Sequence, residues 1–145
     1  MIDREFIKRK IDLIEQNLQR LTELKGLTFD EVAKDFFKYS ALKLVLMEII
    51  GRAIDINEHL IAEISEKDTR TPLSYRETFL SLVDFKILPE EFAAEISKSA
   101  GFRNAIVHDY NNLDKYIVYT TIDESIVQYT QYCHYIIDYL DSHNY

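Results

Sequence analysis

The stretch FDEVAKDFFKYSALKLVLMEIIGRAIDINEHLIAEIS, residues 29–65, decides the fold. Within it Leu42, Leu46, Ile49, Ala53, Ile56 and Leu60 recur at steps of three and four, the spacing of one face of an α-helix. Phe36 and Ile64 extend the stripe at its two ends. Just before it, Thr28 with Glu31 three residues on forms a capping-box pattern that opens the helix. Run unbroken from about Phe29 to Ser65, such a helix spans roughly 50 Å. Gly51, inside it, marks either a bend or the close approach of another backbone.

The same rhythm continues on both sides. Ile7, Ile11, Ile14, Leu18 and Leu21 give an earlier helix that ends at Gly26. Downstream, Thr69 to Pro72 reads as a connection, and Ser74 with Glu77 caps a short helix containing Phe79, Leu82 and Val83. Pro89 followed by Glu90 and Glu91 starts another, because proline fits a first turn and acids complement the helix dipole. Asp109 to Asn112 breaks that pattern. A last stripe runs through Ile122, Ile126, Tyr129, Cys133, Ile136 and Leu140. Ile117 to Thr121 is rich in β-branched residues, but with no strand to pair with it reads as helix too. Together these elements predict an all-α, up-and-down bundle of about five helices. Two long helices lie antiparallel, and residues 1–145 form one domain.

Bulk composition agrees. In 145 residues there are only three glycines and two prolines, so turns are few and elements long. Hydrophobic residues make up 47% and charged residues 29%, an ordinary globular balance. No 18-residue apolar run occurs, and Met1-Ile2-Asp3-Arg4-Glu5 is not the start of a signal peptide, so a soluble cytoplasmic protein without membrane contact is expected. A lone cysteine, Cys133, excludes an internal disulfide and a multi-cysteine metal site. The net charge of −8 argues against broad coating of nucleic acid. It leaves room for local grip on a few phosphates, for a basic patch built across a dimer, and for a partner with a positive surface.

Chemistry concentrates in Gly101-Phe102-Arg103-Asn104-Ala105-Ile106-Val107-His108-Asp109-Tyr110. Arginine supplies a permanent cation for phosphate, and histidine is the side chain whose proton moves near neutral pH. The stripe Phe92, Ile96, Ser99, Arg103, Ile106 puts Arg103 on the inward row, where leucine is the expected residue. A guanidinium there is costly unless something faces it: a carboxylate such as Asp55 or Glu48, a phosphate, or a watery groove between subunits. His108 lies about 140° around and roughly 7.5 Å along an ideal helix from Arg103. Convergence of the two requires the reach of arginine, a loosened helix near His108, or a two-fold axis. The plain alternative is a structural ion pair together with a histidine capping a helix C-terminus.

The segment Phe102-Arg103-Asn104-x3-His108-Asp109-Tyr110 resembles the Arg-x4-His-x-Tyr motif of the HepT-like toxins of the HEPN superfamily. Tyr75-Arg76-Glu77-x-Phe79, Leu88-Pro89-Glu90-Glu91, Ala53 to Ile61 and Asp114-x3-Val118-Tyr119 resemble further segments of that family in the same order, so the likeness covers nearly the whole chain. It implies a toxin of a prokaryotic toxin–antitoxin pair, an endoribonuclease using neither metal nor cofactor, dimeric so that two motifs line one cleft. Arg103 is then implied to bind the scissile phosphate. His108 is implied to act as general base or acid in attack by the RNA 2′-hydroxyl, with Asn104 orienting phosphate or histidine. Tyr110 is implied to accept AMP from a cognate minimal nucleotidyltransferase antitoxin. The competing expectation is a non-catalytic helical module that binds a nucleotidyltransferase or a nucleotide through the same cleft.

Remaining polar residues read more plainly. Asp55 and His59, at i and i+4, have metal-ligand spacing but no evident third ligand, so a polar network is expected. Tyr132, Tyr135 and Tyr139 flank a packed face, Cys133 is a small core hydrophobe, and His134 and His143 face solvent. Lys8, Arg9 and Lys10 read as a solvated helix face.

Overall fold

The computed structural model describes residues 1–108 and 112–145. These form six α-helices: α1 Arg4–Lys25, α2 Phe29–Ala33, α3 Phe36–Ile64, α4 Tyr75–Asp84, α5 Glu90–His108 and α6 Lys115–Ser142. Among the described residues there is no strand, and no helix is long and apolar enough to cross a membrane.

One expectation needs correction. The helix from Phe29 to Ser65 is two helices, because Asp35 turns to an extended backbone (φ −109°, ψ 112°) and its carboxylate accepts the N–H groups of Phe37 and Lys38. Thr28 and Glu31 do form a reciprocal capping box, but it opens only the five-residue α2. With α3 starting afresh, Phe36 falls on its first turn and is 77% exposed, edge-on to Phe37, so it does not extend the core stripe. At 29 residues α3 spans about 43 Å.

Every other residue of the central stripe, from Leu42 to Leu60, is buried, and so are all five of the α1 stripe. On α6 Ile122, Tyr129, Cys133, Ile136 and Leu140 are buried, with Ile126 packed against them. α3 touches all five other helices and is the axis of the bundle. The Asp3 N–H donates to Nε2 of His59, so the start of α1 lies by the end of α3 and the two run antiparallel. Arg4 pairs with Asp141, and Lys25 with Asp123, which sets α1 antiparallel to α6 as well. The expected antiparallel pair of long helices is present in α1 and α3, and α6 is a third long helix beside them.

Local rules explain the remaining ends. Asp114 caps α6 by accepting from the N–H groups of Tyr116 and Ile117, and helix runs straight through the β-branched Ile117 to Thr121. Ser74 caps α4 through the Glu77 N–H. Glu77 reaches back to the Leu73 N–H rather than to that of Ser74, so the box is closed one residue further out. Between α4 and α5, Lys86 takes a left-handed φ of 59° while the Ile87 N–H donates to the Leu82 carbonyl, a Schellman turn made without glycine. At Gly26 the backbone stays right-handed, so that glycine's freedom is not used.

Candidate functional site

α5 presents Arg103, Asn104 and His108 and remains helical to His108. That continuity removes one route to convergence, a helix loosened before the histidine. His108 is exposed at the C-terminal end of α5, and Asn104 is exposed one residue beyond Arg103. Tyr110 and its neighbours Asp109 and Asn111 lie outside the described residues.

Arg103 is half-buried, as its place on the inward row requires. Neither carboxylate considered for it is available. Glu48 accepts from Arg52 at 3.1 Å on its own helix, and Asp55 pairs with Lys10 of α1 at 2.9 Å. Among the described residues no carboxylate forms an ion pair with Arg103, and its buried Nε has no hydrogen-bond partner. Two other groups hold the guanidinium instead. Its central carbon sits 5.5 Å from the centroid of the Tyr75 ring, a cation–π contact. On the α3 side lies Gly51, where a Cβ would stand 3.4 Å from Nε and 3.9 Å from Nη2. Gly51 thus meets a side chain of α5 rather than a second backbone.

Tyr75 is anchored in turn. Its carbonyl accepts from Thr78 Oγ1 at 2.6 Å, and that oxygen accepts from Asn57 Nδ2 at 3.2 Å. Asn57 Oδ1 receives the Tyr132 hydroxyl at 2.6 Å. Asn57, Thr78 and Tyr132 are all buried. A polar chain therefore runs from α6 through α3 to the first turn of α4, and burial of Tyr132 raises its hydroxyl pKa, keeping it a neutral donor. A second tyrosine ties α6 to α5, through a 2.6 Å hydrogen bond between Tyr129 and Ser99.

Other candidates take ordinary roles. His59 rests on the Phe6 ring while accepting from Asp3, Asp55 is held by Lys10, and no third ligand gathers with them among the described residues. Tyr135 meets Phe92 edge-on, and Tyr139 packs against His143. Cys133 is buried, and desolvation, with Glu15 adding repulsion, pushes its thiol up to about 12. The two residues that composition and periodicity alone passed over are Tyr75, with an ordinary place at a helix start, and Gly51, read only as a backbone feature.

The fold is an all-α bundle that carries Arg103, Asn104 and His108 on one helix, α5. Among solved structures, the tri-AMPylated Shewanella oneidensis HEPN toxin in complex with MNT antitoxin matches with a TM-score of 0.81 at 24% identity, over 94% of this chain and 99% of that one. The Bacillus subtilis cytosolic protein YutE, of unknown function, matches with a TM-score of 0.84 at 21% identity, over 98% and 93%. In sequence, a tRNA nuclease HepT of Aphanizomenon flos-aquae is 30% identical over 139 residues, 96% of this chain and 92% of that protein. An mRNA nuclease HepT of Shewanella oneidensis is 24% identical over 128 residues, 88% and 93% of the respective lengths. The family model for ribonuclease HepT-like proteins matches residues 14–136. This chain belongs to the ribonuclease HepT-like family.

Proposed function

We propose that this protein is the toxin of a prokaryotic toxin–antitoxin pair and a metal-independent endoribonuclease of the cytoplasm, with residues 1–145 working as one domain. The observation that carries the reading is the Arg103 guanidinium, held on Gly51 and Tyr75 with no carboxylate to neutralise it among the described residues. A cation placed at that cost is explained by a phosphate that arrives later. Family membership and relatives named as nucleases support the same conclusion.

In the proposed reaction Arg103 binds the scissile phosphate and stabilises the charge that builds on its oxygens. His108 takes the proton of the 2′-hydroxyl as that oxygen bonds to phosphorus. The bond from phosphorus to the 5′-oxygen breaks, and the departing oxygen takes a proton, leaving a 2′,3′-cyclic phosphate and a 5′-hydroxyl. Asn104 orients the phosphate. Two copies facing each other bring a second motif to the cleft and supply the acid for the leaving oxygen. Exposed Leu44 and Val107, which line a shallow apolar groove with Met47 and Ile106 next to His108, favour such a homodimer.

Control is proposed to run through Tyr110. A cognate minimal nucleotidyltransferase antitoxin transfers AMP from a nucleoside triphosphate to the tyrosine hydroxyl, with pyrophosphate leaving. Negative charge two residues from His108 then occupies Arg103 and repels RNA. Expression of the chain alone, against Arg103→Ala and His108→Ala, tests the toxin reading. Growth arrest by the wild type and growth of both variants is expected, whereas equal toxicity of all three overturns it.

A further inference from the structure

A groove of about 830 Å³ lies between the end of α3, the 65–74 connection, the start of α4 and Asn104 of α5. Its walls include Glu58, Ser65, Glu66, Tyr75 and Asn104. Two of these belong to the phosphate anchor's own surroundings. Asn104 is the next residue after Arg103, and Tyr75 carries the guanidinium against its ring. Arg103 itself does not line the groove, so Tyr75 is the residue shared between the groove and the guanidinium.

Its chemistry suits the flat part of a nucleotide rather than a second phosphate. Tyr75 is 45% exposed although it touches Arg103, and it lines the groove. An exposed ring next to a phosphate-binding cation is a stacking platform for a base. Two carboxylates, Glu58 and Glu66, against one cation, Lys67, disfavour a second phosphate, and the carboxylates accept hydrogen bonds from ring N–H and exocyclic amino groups. The Asn104 amide both donates and accepts along a base edge. The platform is also rigid, since the Tyr132–Asn57–Thr78 chain fixes the Tyr75 backbone from inside the core.

We propose that this groove is the subsite for the nucleobase adjoining the scissile phosphate, with Tyr75 as the stacking surface and Asn104, Glu58 and Glu66 facing the base edge. The assignment rests on the ribonuclease reading above and adds to it where a base lies and which residue holds it.

The test uses the full chain and an uncleavable probe, a short 2′-deoxy single strand carrying 2-aminopurine, whose fluorescence falls when it stacks. Cleavage of unmodified RNA is measured in parallel. Wild type should quench the probe. Tyr75→Leu should lose the quenching and bind about 5- to 150-fold more weakly, the span of one base–aromatic stack. Tyr75→Phe keeps the ring and should behave as wild type. Equal quenching and affinity in wild type and Tyr75→Leu overturns the subsite, including when Tyr75→Leu cleaves poorly, because Tyr75 would then serve Arg103 alone. Quenching that depends on Tyr75 in a protein that cuts no RNA upholds the base site and counts against the ribonuclease reading instead.

Discussion

Gly51 of α3 faces Arg103 of α5 so closely that a Cβ at position 51 would lie 3.4 Å from the arginine Nε. At that distance a methyl group is in ordinary contact and anything longer enters the volume of the guanidinium. Gly51→Ala should therefore raise stability by about 1 kcal/mol, the helix-propensity gain of alanine over glycine, with cleavage of RNA retained. Gly51→Leu should displace Arg103 and lower cleavage at least about tenfold, the loss of a phosphate contact of about 1.4 kcal/mol or more. Paired urea melts and cleavage rates for the two variants check this. A Gly51→Leu protein that is folded and fully active would show that Arg103 does not work from this position.

Tyr132→Phe removes the hydroxyl that donates to Asn57 Oδ1 at 2.6 Å and takes the partner from an acceptor on a fully buried residue. A cost of about 1–3 kcal/mol in unfolding free energy is expected, the penalty for orphaning one buried polar group. Because the chain ends at the Tyr75 carbonyl, the same variant should loosen the start of α4. Amide hydrogen exchange at residues 75–78 should speed up relative to exchange in α1.

These two relationships mark the limit of what the sequence alone carries. Steps of three and four residues fix which face of each helix is buried, and the capping patterns at Thr28 and Ser74 mark where α2 and α4 begin, so most of the bundle is legible. The break at Asp35 escapes this reading because its cap has Lys38, not glutamate or glutamine, at the third helical position, and no capping box announces it. Arg103 stands out as a cation on an inward row. What surrounds it does not, since Tyr75 and Gly51 lie on other helices and periodicity gives faces without saying which face meets which. Asp55 and Glu48 are reasonable partners by charge, and only the packing of α1 and the i,i+4 reach of Arg52 shows them taken.

Burial of Cys133 gives a pH signature. The folded thiol is pushed from 9.0 to about 12, while the unfolded thiol keeps its ordinary value. Below about pH 9 both states hold the proton and stability does not change on this account. As pH rises from there towards 12 the unfolded chain loses the proton first, so stability falls. Buried Tyr129 and Tyr132, whose hydroxyl pKa values are raised chiefly by desolvation, act in the same direction. Urea melts between pH 8 and about 11 should show the midpoint decreasing with pH, less steeply in Cys133→Ala.

Tyr110 is proposed as the acceptor of AMP. Co-expression with the cognate nucleotidyltransferase should add whole nucleotide masses to the peptide containing Tyr110, and Tyr110→Phe should abolish the addition. Modified protein should also lose RNA cleavage. A peptide left at its unmodified mass after co-expression would refute the control mechanism.

Cleavage of RNA by the purified chain, with end-group analysis of the products, tests the central claim most directly. Wild type should yield 2′,3′-cyclic phosphate and 5′-hydroxyl ends in the presence of a metal chelator, and Arg103→Ala and His108→Ala, each still folded, should lose at least about a hundredfold in rate, the lower range for removing one electrostatic or acid–base group. Undiminished cleavage in both variants, or products ending in 5′-phosphate, would contradict the chemistry assigned to Arg103 and His108.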